Sequence, residues 1–322
     1  MPELPEVETT TRGLQKEIVG LTIRDVWTDL NSKDKRQKDA VKNPKYFIFF
    51  KKEITGKKVL SAERRAKNIL VNLSGNKTIL IHMKMTGHLM VGEYVYLPPT
   101  APDLKNSKRS GAGAGSWSPK DKNKNNPLND PYNRFVHVVF TLSNKKHLVF
   151  CDTRKFGKIT LLDTNTAHDT KHLKGIGPDP LDKNINWKIL KERLSLKPKG
   201  KIKTVLMDQS IIAGIGNIYS DEILWKTGIH PESLASKITD NKIKEVFTAM
   251  QNLLKKGIDF GGDSMSDYRN IYGLPGKFQL HHEVYRRKGE ICRKSGCSGV
   301  IIRKVINGRS GHFCPKHQLK LI

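Results

Sequence analysis

The 322 residues include 58 lysines and arginines against 31 aspartates and glutamates, a formal charge of +27. With 37% hydrophobic residues in well-separated runs, the chain has cores to pack, so this charge does not mark a disordered polymer. No run approaches the roughly 18 apolar residues of a membrane span. Glu3, Glu6 and Glu8 speak against a secretory signal, and four cysteines are too few for a disulfide scaffold. The expectation is a soluble, cytoplasmic, monomeric protein that binds a polyanion, nucleic acid first. At about 150 residues per domain, the length suits two domains and a small appended module.

The opening segment, residues 3–20, has Pro5 in its first turn and Gly20 near its end. It reads as a helix with Val7, Leu14 and Ile18 on a buried face and with acids favoured by the helix dipole. β-rich sequence follows. Residues 68–73 and 78–83 flank Ser-Gly-Asn-Lys, and residues 135–142 and 147–151 flank Ser-Asn-Lys-Lys, so two hairpins are expected, with a further strand over 158–162. A leading helix and several short strands predict a sandwich-like N-terminal domain. Residues 98–133, rich in Gly, Ser, Asn, Pro and Lys, read as a long surface loop, a disordered insertion. After Gly177 the pattern turns helical, with candidate helices over 187–194, 218–227 and 242–256.

From residue 286 onward there are ten lysines and arginines against Glu290 alone. Cys292 and Cys297 are separated by four residues, and Cys314 and His317 by two, on either side of a stretch long enough for a hairpin. Two close pairs across a hairpin supply four ligands for one structural zinc, with His317 as the fourth by its knuckle spacing and His312 as the alternative.

At the other end, removal of Met1 would free the secondary amine of Pro2. Such an amine attacks an aldehyde carbon and yields an iminium, an electron sink for elimination at the neighbouring carbon. Its reference pKa is about 7.7–8.0, and the positive end of the following helix lowers it. Glu3 and Glu6 stand near enough in sequence to shuttle protons.

The strings MPELPEVETTTRGL, RRAKNIL, IHMKMTG, DTRKFG, LMDQSIIAGIGNIYSDEILW, GIHPESLAS and VYRRKGEIC occur in this order across nearly the whole chain, outside residues 98–133. Together they resemble the formamidopyrimidine-DNA glycosylases of the Fpg/Nei family. The resemblance implies an α+β chain in three parts. These are an N-terminal catalytic β-sandwich with a leading helix (1–175), a helix–two-turns–helix DNA-binding domain (182–280) and a β-hairpin zinc finger (281–322). It implies Pro2 as the Schiff-base nucleophile at the sugar C1′, Glu3 as the neighbouring acid/base, Glu6 as a supporting acid, and Lys67 as a catalytic lysine touching DNA near the lesion. Met85, Arg154 and Phe156 match residues that fill the gap left by an everted nucleotide, Arg154 bonding the orphaned cytosine. Lys155 stands where relatives carry a second arginine and keeps a phosphate contact without bidentate geometry. Asn217 and the backbone N–H groups at its helix start would form a phosphate site, and Arg309 would grip phosphates beside the lesion.

The implied activity is that of a bifunctional glycosylase/AP lyase of base excision repair. It would act on duplex DNA with oxidised purines or abasic sites, associated with the nucleoid. The alternatives are a Nei-type enzyme for oxidised pyrimidines, against which Leu4 and the Met85/Arg154/Phe156 set argue, and a non-catalytic zinc-containing nucleic-acid-binding protein. The loop 263–277, where relatives hold the damaged base, differs too much for its contacts to be assigned.

Overall fold

The computed structural model describes residues 1–99, 115–265 and 267–321. Residues group into two compact units. One comprises Met1–Pro2, Glu6–Lys174 and Gly261–Lys277, the other Glu3–Pro5, Gly175–Phe260 and Phe278–Ile322.

Helix α1 (Leu4–Glu17), part of the first unit from Glu6 onward, forms where the apolar spacing puts it, with Val7, Leu14 and Ile18 essentially inaccessible. Its mid-helix Gly13 makes room for a neighbour: a Cβ there would lie 2.2 Å from Ile271 Cγ2. Two four-stranded antiparallel sheets follow. One has the order β1 (Ile23–Thr28), β8 (Val136–Leu142), β9 (His147–Asp152), β5 (Gly87–Gly92). The other runs β10 (Lys158–Asp163), β4 (Lys77–His82), β3 (Asn68–Leu73), β2 (Val59–Arg65). Val138, Phe140, Leu148 and Phe150 of the first sheet share one core with Ile69, Val71, Ile79 and Ile81 of the second, which makes the pair a sandwich. Both expected hairpins and the strand at 158–162 are present.

The side chains alternate along the strands, so the first sheet has a second apolar face of Met90, Val139, Val149 and Cys151. A short ribbon, β6 (Tyr94–Leu97) with β7 (Ser116–Pro119), pairs Tyr96 with Trp117, and both Trp27 and Trp117 pack against that face. This corrects the expectation of a structureless insertion over 98–133. Residues 100–114 of that segment lie outside the described residues, but 115–133 form a strand and two short 3-10 turns capped by Asn126 and Asp130, with Asn133 buried. Helix α2 (Pro44–Ile54) is also additional to the sequence reading. Asn43 caps it, accepting from the Tyr46 N–H at 3.1 Å, and Pro44 opens it.

The second unit holds α3 (Trp187–Ser195), α4 (Ile202–Leu206), α5 (Asn217–Thr227) and α6 (Asp240–Asp259) around a core of Leu190, Leu206, Ile215, Ile223, Val246 and Leu254. Consecutive turns over 207–216 join α4 to α5 in a helix–two-turns–helix element. Strands β11 (Ile302–Ile306) and β12 (Arg309–Phe313) form the C-terminal hairpin, turned by Asn307 and Gly308, both at positive φ. Among the described residues no helix is long and apolar enough to cross a membrane.

Candidate active site and nucleic-acid interface

Pro2 is buried immediately before α1, and Glu3 is 2% exposed. Both carboxylate oxygens of Glu3 are used: Oε2 accepts from the Gly216 N–H at 2.6 Å and Oε1 from the Ile218 N–H at 2.9 Å, with the Tyr219 N–H at 3.4 Å. A side chain therefore caps the start of α5, satisfying donors that a helix terminus leaves open. This corrects the backbone part of the expected phosphate site, since the N–H groups of residues 216, 218 and 219 already hold an anion of the protein itself. The Asn217 side chain hydrogen-bonds Tyr285, and its Oδ1 is buried with no hydrogen-bond partner among the described residues.

Glu6 turns to a different task. Its Oε1 accepts from the Asp263 N–H at 2.7 Å and its backbone carbonyl accepts from the Tyr268 hydroxyl at 3.0 Å. Gly262, at φ +88°, comes so close that a Cβ would meet Glu6 Cγ at 2.9 Å. Glu6 thus anchors the loop over 261–277.

Lys67 follows Ala66, which has φ +56°, in the β2–β3 turn, and it is buried. Beyond it lies His82, paired with Asn68 across the sheet. Burial, with Lys84 and Lys67 adding to it, holds the His82 imidazole down to about 3, so it is a neutral ring whose Nδ1 accepts from the Lys84 N–H at 3.0 Å. Sequence reasoning missed His82 although it stands in IHMKMTG.

Met85 and Phe156 are 40% and 49% exposed, so neither is a core residue. The Arg154 guanidinium lies 4.6 Å from the Phe156 ring centroid. Asp152 ties these residues together. It accepts from the Thr86 hydroxyl, from the Arg154 N–H at 3.3 Å and from the Gly157 N–H at 2.6 Å, and thereby binds the Met85 turn to the loop over 153–157. Lys155, at φ +54°, places its ammonium 3.8 Å from Asp29.

On the C-terminal hairpin, Arg309 is exposed opposite Ile306. The sulfurs of Cys292, Cys297 and Cys314 lie within 4.8 Å of one another, with Cys297 and Cys314 3.7 Å apart. That is about the edge of a tetrahedron with zinc–sulfur bonds of about 2.3 Å, and far longer than a disulfide. The three cysteines could therefore bind a metal. His317 Nδ1 is 3.7 Å from Cys292 Sγ, whereas His312 Nδ1 is 3.1 Å from Asp221 Oδ2. Gly299 must be small, because a Cβ there would lie 2.5 Å from Cys314 Sγ.

Residues 1–159 match the formamidopyrimidine-DNA glycosylase N-terminal domain, and residues 176–269 match the formamidopyrimidine-DNA glycosylase H2TH domain. The chain is 36% identical over 318 residues to a formamidopyrimidine-DNA glycosylase of Pelotomaculum thermopropionicum, covering 99% of each, and 34% identical to that of Bacillus subtilis, covering 99% of this chain and all of the relative. Its fold matches the Lactococcus lactis Fpg in complex with DNA containing an abasic site, with a TM-score of 0.77 at 29% identity over 99% of this chain and all of that one. It also matches MutM bound to DNA with a carbocyclic 8-oxo-G, with a TM-score of 0.74 at 30% identity over the same shares. The chain belongs to the formamidopyrimidine-DNA glycosylase family.

Proposed function

We propose that the chain excises oxidised purines, 8-oxoguanine and formamidopyrimidines, from duplex DNA and then cleaves the strand at the abasic site, as an enzyme of base excision repair. The observation that carries this reading is the outward stance of Met85 and Phe156, with Arg154 against the Phe156 ring, in the unit that also holds Pro2. A protein that only binds duplex backbone has no use for two apolar side chains held in solvent. An enzyme that everts a nucleotide needs them to fill the vacated stack.

Once Met1 is removed, the Pro2 nitrogen forms a bond to C1′ as the glycosidic bond breaks and the base leaves with a proton. Protonation of the ring oxygen, a role for Glu3, opens the sugar and gives the iminium. Loss of a C2′ proton then expels the 3′ phosphate, a second elimination expels the 5′ phosphate, and water releases the proline. In this reading Lys67 is the catalytic lysine that touches the DNA near the lesion, Lys155, Asn217 and Arg309 contact phosphates, and Glu6 supports the pocket by holding the loop over 261–277. Cys292, Cys297 and Cys314, with His317 as fourth ligand, would hold one zinc ion that stabilises the hairpin and takes no part in the chemistry. On this reading the parts 1–175, 182–280 and 281–322 would be the catalytic, helix–two-turns–helix and zinc modules, except that Gly261–Lys277 groups with the first compact unit.

Borohydride reduction in the presence of abasic DNA tests the mechanism. A covalent adduct mapped by mass spectrometry to the Pro2 nitrogen is expected; an adduct on another residue overturns it. Faster excision of thymine glycol than of 8-oxoguanine opposite cytosine would favour the Nei-type alternative.

A further inference from the structure

A cavity of about 590 Å³ opens in the first unit, walled on one side by Met85 and Phe156 and reached by Met1. Its other walls carry Arg36, Lys42, Lys84 and Lys155 against a single acid, Asp34, whose carboxylate is already paired with Arg36 at 2.8 Å. The surrounding carboxylates are engaged as well. Asp29 accepts from His137 at 2.9 Å and lies 3.8 Å from Lys155, Asp39 holds Lys158 and Lys171 at 3.0 and 2.9 Å, and Asp152 binds the Thr86 and Gly157 donors.

Lys42 is 8% exposed and donates to the Lys155 carbonyl, an uncommon depth for a lysine without its own carboxylate. Burial lowers its ammonium pKa; Asp152 opposes this, and Lys84 and Lys155 add to it. Burial, and then Lys158, lower that of Lys84. Lysines collected in this way favour an anion from outside.

The backbone shows the same arrangement twice. Lys84 at φ +57° precedes Met85, and Lys155 at φ +54° precedes Phe156. A left-handed conformation is unfavourable for a lysine, and each of these two stands immediately before an apolar side chain on the wall of the cavity that the lysine also lines.

We propose that this cavity seats a backbone phosphate of the undamaged strand, held by Lys42, Lys84 and Lys155. The proposal rests on the reading of Met85, Arg154 and Phe156 as the residues that fill the gap. With those side chains facing the orphaned base, the backbone next to them belongs to the strand that carries that base. The site would fix the unbroken strand while the other is cut.

The test uses the full chain and duplexes containing a stable abasic-site analogue. A single uncharged methylphosphonate is walked along each strand, and Kd is read for the native protein and for Lys84→Met, a side chain on the wall of the cavity and outside the hydrophobic cores, so that folding is not threatened. A neutral linkage at one or two positions of the undamaged strand is expected to weaken native binding about tenfold. Lys84→Met is expected to weaken binding to unmodified DNA, to reduce the salt slope by about one, and to lose most of its response to that same linkage. A response confined to the damaged strand, or independent effects of the mutation and the linkage, overturns the proposal. Borohydride trapping by the native protein separates the two levels. Trapping without undamaged-strand sensitivity sinks only the phosphate site, and absence of trapping sinks the enzymatic reading beneath it.

Discussion

Glu3 and Gly216 fit so closely that a Cβ on residue 216 would lie 2.4 Å from Glu3 Cδ and 2.5 Å from its Oε1. The residue next to Pro2, the proposed nucleophile, is thereby held by backbone donors at a helix start, and neither partner can change without moving the other. Gly216→Ala should therefore act as a mutation of Glu3. Single-turnover excision is expected to fall about a hundredfold or more, as in Glu3→Gln, with a smaller change in affinity for an abasic-site analogue. Wild-type excision by Gly216→Ala would show that the position of Glu3 does not matter.

Acid should unfold this protein through its histidines before its carboxylates. Burial holds His88 at about 4 and His82 at about 3, against 6.5 in an unfolded chain, and His147, His172 and His230 are shifted the same way. Below about 6.5 the unfolded state binds the extra protons, so stability is fully present above that value and is lost as the pH falls toward 4. His88 alone accounts for about 2 kcal/mol at pH 5. Urea midpoints at pH 7.5 and 5 check this, and His88→Gln is expected to narrow the gap.

Lys203 and Asp221 form a fully buried ion pair at 2.6 Å, and Asp221 also accepts from the His312 N–H at 2.9 Å. Asp221→Ala would strand the Lys203 charge and is expected to cost about 3–5 kcal/mol. Replacing both residues, as Lys203→Met with Asp221→Leu, should cost less than Asp221→Ala alone. Thermal or urea unfolding of the three proteins decides the matter.

One zinc per chain is expected on metal analysis. Cys314→Ser should lose it, and Gly299→Ala should weaken it by pressing on the Cys314 sulfur. Chelation should lower DNA affinity through the hairpin that carries Arg309. A zinc-free protein with unchanged DNA affinity would contradict this assignment.

Local signals made much of the fold legible. The Val7/Leu14/Ile18 spacing, the two turn-flanked hairpins and the paired cysteines each lie within a short stretch of sequence. Helix α2 was less visible because its run Tyr46–Phe47–Ile48–Phe49–Phe50 masks helical periodicity, and only Asn43 and Pro44 announce it. Strand β7 sits in polar sequence and exists by pairing with β6, a partner some twenty residues away. The same limit applies at the site. Types and order pointed to Glu3 and Glu6, but their partners, Gly216 and Asp263, are more than two hundred residues distant and leave no local trace.

Because Asp152 fastens the Met85 turn to the loop carrying Arg154 and Phe156, the three side chains share one support. If they fill the vacated stack as proposed, the loss of this one carboxylate would disable all three together.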